Sequence, residues 1–373
     1  MDPRAPSEAS DVRRVLVIGT GLVGGSIGLA LRKAGGVTVV GYDVSAETTE
    51  AALGAGALDE GADDLSEAAA GADVVIVATP VGEILSTIAA VAGSARIGCV
   101  VTDVGSTKAT IVSEAERLLG PDRAFVGGHP MAGTEGEGIS SARPDLFDGA
   151  LWILSPTKAT DSNAYREINQ LVTKLGARTL ALDPVEHDRL VALVSHLPYA
   201  IATSLMLLAA EDADPRKFQA AAGSFRDVTR TAGSSPRLWR DIFSTNRDAV
   251  VDELDKFTAI LGRLRSAVAD SDWDAFDTLV GAARDARRRF PTKGERAPVD
   301  PVTVEVSISD RAGALAEVTT AVGEGGINIE DLWVEHTPAG GVLRLLVDGH
   351  ETAGAAASLL ESRGYRTTVV EDL

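Results

Sequence analysis

The stretch RRVLVIGTGLVGGSIGLALRKAGGVTVVGYD, residues 13–43, decides the fold. It opens on RRVLVI, an apolar run of strand length, and passes through a glycine turn. A segment with helical spacing of apolar residues follows, and then a second apolar run that ends in Asp43. Gly19, Gly21 and Gly24 stand in G-x-G-x-x-G spacing, which alone is a weak signal. Here it follows a strand and opens a helix, and an acidic residue ends the next strand 19 positions beyond Gly24, so the full context of a dinucleotide-binding turn is present. The glycines let backbone amides approach a pyrophosphate at a helix N-terminus. A carboxylate at Asp43 would accept from a ribose 2′-hydroxyl and repel a 2′-phosphate, which favours NAD over NADP as cofactor.

Working outward, ADVVIVATP and CVVTDVGS are two more short apolar runs, with VGEILSTIAAVAG between them at helical spacing. Strand and helix alternate to about residue 155, the pattern of a parallel, doubly wound Rossmann-type sheet in an α/β domain. Thr79 and Pro80 end one of these strands at the same sheet edge and are candidates for the nicotinamide side. From about 161 to 290 the apolar residues recur at helical spacing, which predicts an all-helical second domain. The tail reads strand, helix, strand, strand, helix, strand, the β-α-β-β-α-β order of a ferredoxin-like α+β domain. The expected organisation is an N-terminal tail over 1–12, a nucleotide-binding domain over 13–160, helices over 161–290, a charged, proline-containing linker over 291–300 and the last domain over 301–373.

A net charge of −19 makes nucleic acid an improbable partner. The single cysteine, Cys99, excludes an internal disulfide framework, and its apolar surroundings read as a packed thiol. No metal-ligand constellation is visible. The N-terminus lacks an apolar signal core and no apolar run reaches membrane-span length, so a cytoplasmic protein without membrane contact is expected. The run from Leu197 to Ala210 is more apolar than one subunit's helical layer would hide, which predicts a homodimer.

The candidate chemistry lies at the strand ends. Ser106, in VTDVGSTK, and His129, in FVGGHPMAGTEGEG, should both face the crevice outside the strand C-termini. Alcohol oxidation with NAD needs a base for the hydroxyl proton, and imidazole suits that role. Ser106 would orient the imidazole or the substrate hydroxyl, or else cap the next helix. Thr134 and Glu135 follow His129 closely enough to touch a substrate. His187, His336 and His350 have no motif context.

Together VGGHPMAGTEGEG, VTDVGSTK, SHLPYAIA and GSFRDVTRTAGSSPRLWRDIF resemble the prephenate dehydrogenase family over about residues 13–290. The resemblance implies NAD-dependent oxidative decarboxylation of prephenate to 4-hydroxyphenylpyruvate, with arogenate as the rival substrate. It makes His129 the catalytic histidine, Ser106 its partner, His196 a substrate-side histidine and Arg230 the holder of a substrate carboxylate. The alternatives are a helix-capping role for His196, and surface ion pairs for Arg230 and its neighbour Arg226; Trp239 reads as core or interface. DRAGALAEV and GGINIEDL resemble ACT regulatory domains, which implies an amino-acid effector such as tyrosine near Asp310 and Asn328. A non-catalytic amino-acid sensor is the reading from a different class.

Overall fold

The computed structural model describes residues 13–132, 136–211, 221–288, 301–309, 311, 314–329, 331–337 and 340–370. The expected tail over 1–12 and linker over 291–300 lie outside them. The chain divides into two units, Met1–Thr258 and Ala259–Leu373.

In the first unit the alternation seen in the sequence becomes a sheet of eight strands. They are β1 (Arg13–Ile18), β2 (Val37–Tyr42), β3 (Glu60–Gly61), β4 (Val74–Val77), β5 (Val100–Asp103), β6 (Ala124–Pro130), β7 (Leu151–Ser155) and β8 (Arg178–Ala181), in the spatial order β3-β2-β1-β4-β5-β6-β7-β8. From β3 to β6 every pairing is parallel. The chain leaves β1 toward β2 on one side and returns as β4 on the other. The crevice between the ends of β1 and β4 is therefore the topological switch point where such sheets bind ligands.

Successive residues of each strand point to opposite faces, and each face is covered. Val15 and Val17 pack with Ile27, Leu31, Ile168 and Val172 from helices Leu22–Ala34 and Ser162–Lys174. Leu16 and Ile18 pack with Ile84, Ile88, Ile111 and Val112 from helices Ile84–Ala92 and Ala109–Leu119. A fully buried Leu, Ile or Val contributes about 1.5–3 kcal/mol, so the two layers hold the sheet edge firmly.

Two expectations are corrected. The sheet is not wholly parallel, because β6 pairs antiparallel with β7. Only a short 3-10 turn, Ile139–Ser141, is described between them, so no crossover helix forces a parallel return. The sheet also runs past residue 160, since helix Ser162–Lys174 and β8 belong to it. Strand β8 is short and largely exposed, so it shows no apolar run in the sequence.

Beyond β8 the helical region begins at Pro184. Helix Pro184–Val191 continues through a π-turn, Ala192–His196, into helix Leu197–Ala210. Pro198 lacks an N–H and its ring crowds the carbonyl four residues earlier; the wide turn absorbs both effects. The result is one 27-residue helix, Pro184–Ala210, long and apolar enough to cross a membrane by length and composition. This corrects the expectation that no segment reaches that length. The apolar run was judged from its own start, whereas the structure extends it backward without a break. Leu193, Val194, Leu207 and Leu208 are exposed along it.

In the second unit, β9 (Pro301–Ile308), β10 (Asp331–Thr337), β11 (Gly340–Asp348) and β12 (Arg366–Val370) form an antiparallel sheet in the order β10-β11-β9-β12. Helices Ala314–Glu324 and His350–Ser362 complete the strand-helix-strand-strand-helix-strand order. Val304, Val306, Val318, Leu343, Leu345 and Leu360 form its fully buried core.

Candidate active site

The glycine turn is built by backbone contact. Gly19 has φ +89°, and a Cβ there would lie 2.6 Å from the Ala78 carbonyl oxygen beyond β4. A Cβ on Gly24 would lie 1.9 Å from the Gly19 carbonyl oxygen, so the helix can start against the strand end only with glycine at that position. Gly21 precedes helix Leu22–Ala34, and space beside it is open. No side chain caps that helix and no acidic residue stands in its first turn, so its N-terminus is left to an anion. Asp43 lies beside the turn: its carboxylate accepts from Thr20 N at 2.9 Å and from Ser45 N at 3.1 Å. Across the switch point Thr79 is half-buried, with a hydroxyl that has no hydrogen-bond partner among the described residues, and Pro80 is exposed. The open cradle, the uncapped helix and the adjacent acid fit a dinucleotide.

Next along the edge, a buried ion pair joins the turn after β5 to β6. Asp103 and Lys108 are both fully buried and bonded to each other. The same carboxylate accepts from Gly105 N at 2.8 Å and Gly128 N at 3.1 Å. It thus fixes the loop that carries Ser106 and the strand that carries His129. Ser106 is half-buried on this loop and does not cap helix Ala109–Leu119. Asp188, from helix Pro184–Val191, takes that role: its carboxylate accepts from Lys108 N at 2.6 Å and Ala109 N at 2.9 Å.

His129 stands on β6 opposite Ile153, within the strand. Its ring is surrounded by protein, yet part of its surface stays accessible. Nδ1 of His129 lies 2.8 Å from Nε2 of His187, and Nδ1 of His187 lies 2.8 Å from the Asp188 carboxylate. Asn246 Nδ2 donates to the Asp188 carbonyl at 2.7 Å and lies 3.3 Å from His196 Nδ1. The buried His196 meets Trp239 edge-on at 6.0 Å between ring centroids, and Trp239 stacks on Tyr199 at 3.7 Å. Burial, aided by the nearby His187, Lys108 and His196, pushes the pKa of His129 well below the ordinary histidine range. Burial takes His196 down to about 4, against the opposing pull of Asp188. Both rings are therefore neutral near pH 7, and His129 has a lone pair free for a proton.

Of the residues expected at the site, Gly19, Gly21, Gly24, Asp43, Thr79 and Pro80 gather at the switch point, and a chain of hydrogen bonds ties His129 to His196. Arg230 is exposed at the start of the 3-10 turn Arg230–Gly233, which packs against helix Leu197–Ala210. Thr134, Glu135 and Asp310 lie outside the described residues, and Asn328 is exposed in the second unit. The sequence reading missed His187, Asp188 and Asn246. A signal existed for the first two: in helix Pro184–Val191 the buried stripe is Pro184, His187, Asp188 and Val191, so a histidine and an acid occupy positions that usually hold core residues.

A glycine turn with its acid at the switch point, and a neutral buried imidazole further along the same edge, define a nucleotide-dependent dehydrogenase. Residues 27–181 match the family model described as prephenate dehydrogenase, nucleotide-binding domain, and residues 183–281 match prephenate dehydrogenase, dimerization domain. The chain is 33% identical to prephenate dehydrogenase of Bacillus subtilis (strain 168), over 96% of this chain and 98% of that one. Among solved structures it resembles prephenate dehydrogenase from Aquifex aeolicus, in complex with hydroxyphenyl propionate and NAD+, with a TM-score of 0.70 and 30% identity over 75% of this chain and 99% of the other. Synechocystis arogenate dehydrogenase matches with a TM-score of 0.66 and 29% identity, over 74% and 98% of the two chains. The chain belongs to the prephenate dehydrogenase family.

Proposed function

We propose that this enzyme oxidises and decarboxylates prephenate, with NAD as acceptor, to give 4-hydroxyphenylpyruvate, carbon dioxide and NADH. The observation that carries the reading is His129, neutral and partly accessible on the same sheet edge as the dinucleotide turn. Gly19, Gly21 and Gly24 would hold the pyrophosphate, and Asp43 the adenosine ribose. NAD, when bound, supplies the hydride acceptor. His129 accepts the ring hydroxyl proton as the carbinol carbon is oxidised. It returns that proton to the ring oxygen once loss of the carboxylate has made the ring aromatic, so no net proton is released. Ser106 orients the hydroxyl, His196 lies on the substrate side, and Arg230 binds a substrate carboxylate through its guanidinium fork. Thr134 and Glu135 complete the substrate contacts.

Arogenate, which carries an amine where prephenate has a side-chain keto group, is the second reading. The likeness to the Synechocystis enzyme favours keeping it. Steady-state NADH formation with prephenate and arogenate side by side, and NAD against NADP, decides between them. Turnover of neither substrate would refute the reading.

The exposed Leu193, Val194, Leu207 and Leu208 support burial of the long apolar helix in a homodimer rather than in a lipid phase, as does the match to a dimerization domain. The relatives named by a biosynthetic reaction support a cytoplasmic setting. The strand order of the tail supports a ferredoxin-like domain; its motif likeness to ACT regulatory domains extends the reading to a tyrosine effector, with Asp310 and Asn328 at the ligand. Calorimetry of tyrosine with the full chain, before and after Asn328→Ala, tests this: unchanged binding would remove Asn328 from the site.

A further inference from the structure

A base must present a bare ring nitrogen to its substrate, and a neutral imidazole has two nitrogens, only one of them bare. The hydrogen-bond inventory around His129 settles which one. Both oxygens of the Asp188 carboxylate act as acceptors: they take the Lys108 and Ala109 N–H groups, and the other hydrogen-bonded neighbour among the described residues is His187 Nδ1 at 2.8 Å. His187 Nδ1 therefore carries a proton, and with that single proton on the ring the lone pair is on Nε2. That lone pair faces His129 Nδ1 at 2.8 Å, so His129 must donate there, and its own bare nitrogen is Nε2. With a single proton on His187, the opposite assignment would put two lone pairs against each other across 2.8 Å.

We propose that His187 and Asp188 form a positioning relay that locks His129 in the tautomer with a bare Nε2 and shares the proton it takes up. The proposal rests on His129 as the base of the reading above. One proton enters at His129 Nε2 from the substrate hydroxyl. The proton on His129 Nδ1 can then cross to His187 Nε2, which puts the positive charge beside the Asp188 carboxylate. Return of the proton to the ring oxygen reverses both transfers, and no proton is gained or lost. His187 is fully buried and Asp188 almost so, and Asn246 holds the Asp188 backbone carbonyl. The relay is therefore held in place before substrate arrives.

A merely structural role would leave Asp188 as a helix cap and His187 as packing. The test begins with the full-length protein, its histidines labelled with 15N, and long-range imidazole correlations assigned by single substitutions. His129 and His187 are both expected as Nδ1–H tautomers near neutral pH. A neutral His129 carrying its proton on Nε2 would overturn the relay, whatever the enzyme turns over. Steady-state kinetics then compare His187→Phe with His187→Gln, whose amide oxygen can accept from His129 Nδ1. His187→Phe is expected to lower kcat about 10²-fold with NAD affinity and substrate KM nearly unchanged. His187→Gln should recover about tenfold of that loss. A folded His187→Phe enzyme with wild-type kcat, or equal kcat in the two variants, refutes the relay. If wild type turned over neither substrate, the functional reading would fall, while the tautomer measurement would still judge the relay.

Discussion

Acid should destabilise this protein through its buried neutral histidines, of which His196 gives a worked case. It is 1% exposed, and burial brings its pKa down to about 4 from the usual 6.5. The folded state holds the ring neutral, so the unfolded chain binds a proton more readily. The stability linked to this group is complete above pH 6.5 and drains away as the pH falls toward about 4. For these pKa values the loss is about 2 kcal/mol at pH 5 and about 3 kcal/mol at pH 4. A control is His196→Gln, which keeps an oxygen to accept from Asn246 Nδ2 and cannot titrate. Urea unfolding of both proteins at about pH 7.5 and about pH 5, at one fixed protein concentration and followed by tryptophan fluorescence, measures the difference. Wild type should lose about 2 kcal/mol more than His196→Gln over that interval. The pKa of His129 is lowered as well, mainly by burial that both proteins share; the part owed to His196 goes with the substitution and is counted in the difference. Parallel losses in the two proteins would refute the reasoning.

Four further outcomes are expected. His129→Ala should lower kcat by about 10²–10⁴-fold while NAD affinity measured by calorimetry stays put; near-wild-type turnover would remove it as the base. Arg230→Ala should act mainly on KM for prephenate, by an amount equivalent to roughly 2–5 kcal/mol, and an unchanged KM would pass the role to Arg226. Asp43→Ser should relax the preference for NAD over NADP, and a wild type that uses both equally would contradict the ribose assignment. In Gly24→Ala the new methyl meets the Gly19 carbonyl, so the turn must open; NAD affinity should fall at least about tenfold, with a loss of about 1–3 kcal/mol in stability.

What was legible in the sequence is what local chemistry determines. The glycine turn needs Gly19 and Gly24 for backbone clearance, and Asp43 follows at a fixed distance, so both appear as a pattern. The tail's strand and helix order was equally plain. The antiparallel return of β7 and the exposed edge strand β8 were not, because neither leaves a periodic trace. His187 is the clearest case. Its partner His129 lies 58 residues away, and no spacing rule connects them. The one local hint was polar residues on the buried stripe of a helix, a hint that depends on knowing which stripe is buried. The long helix was misjudged for a similar reason: a proline usually ends a helix, and a π-turn here lets it continue.

The carboxylate of Asp188 caps the start of a helix packed on the sheet, although Asp188 itself sits in the segment that follows the sheet. The seam between the two family models, near residue 182, is therefore not a place to cut. A fragment stopping there would expose the first peptide groups of helix Ala109–Leu119 and leave His129 with no fixed tautomer. Swapping helical segments between relatives would carry the same penalty unless the histidine and acid travelled with the matching sheet. Nucleotide binding can be borrowed from many chains with such a turn, but in this protein the setting of the His129 imidazole is the joint property of two segments that must be engineered as one piece.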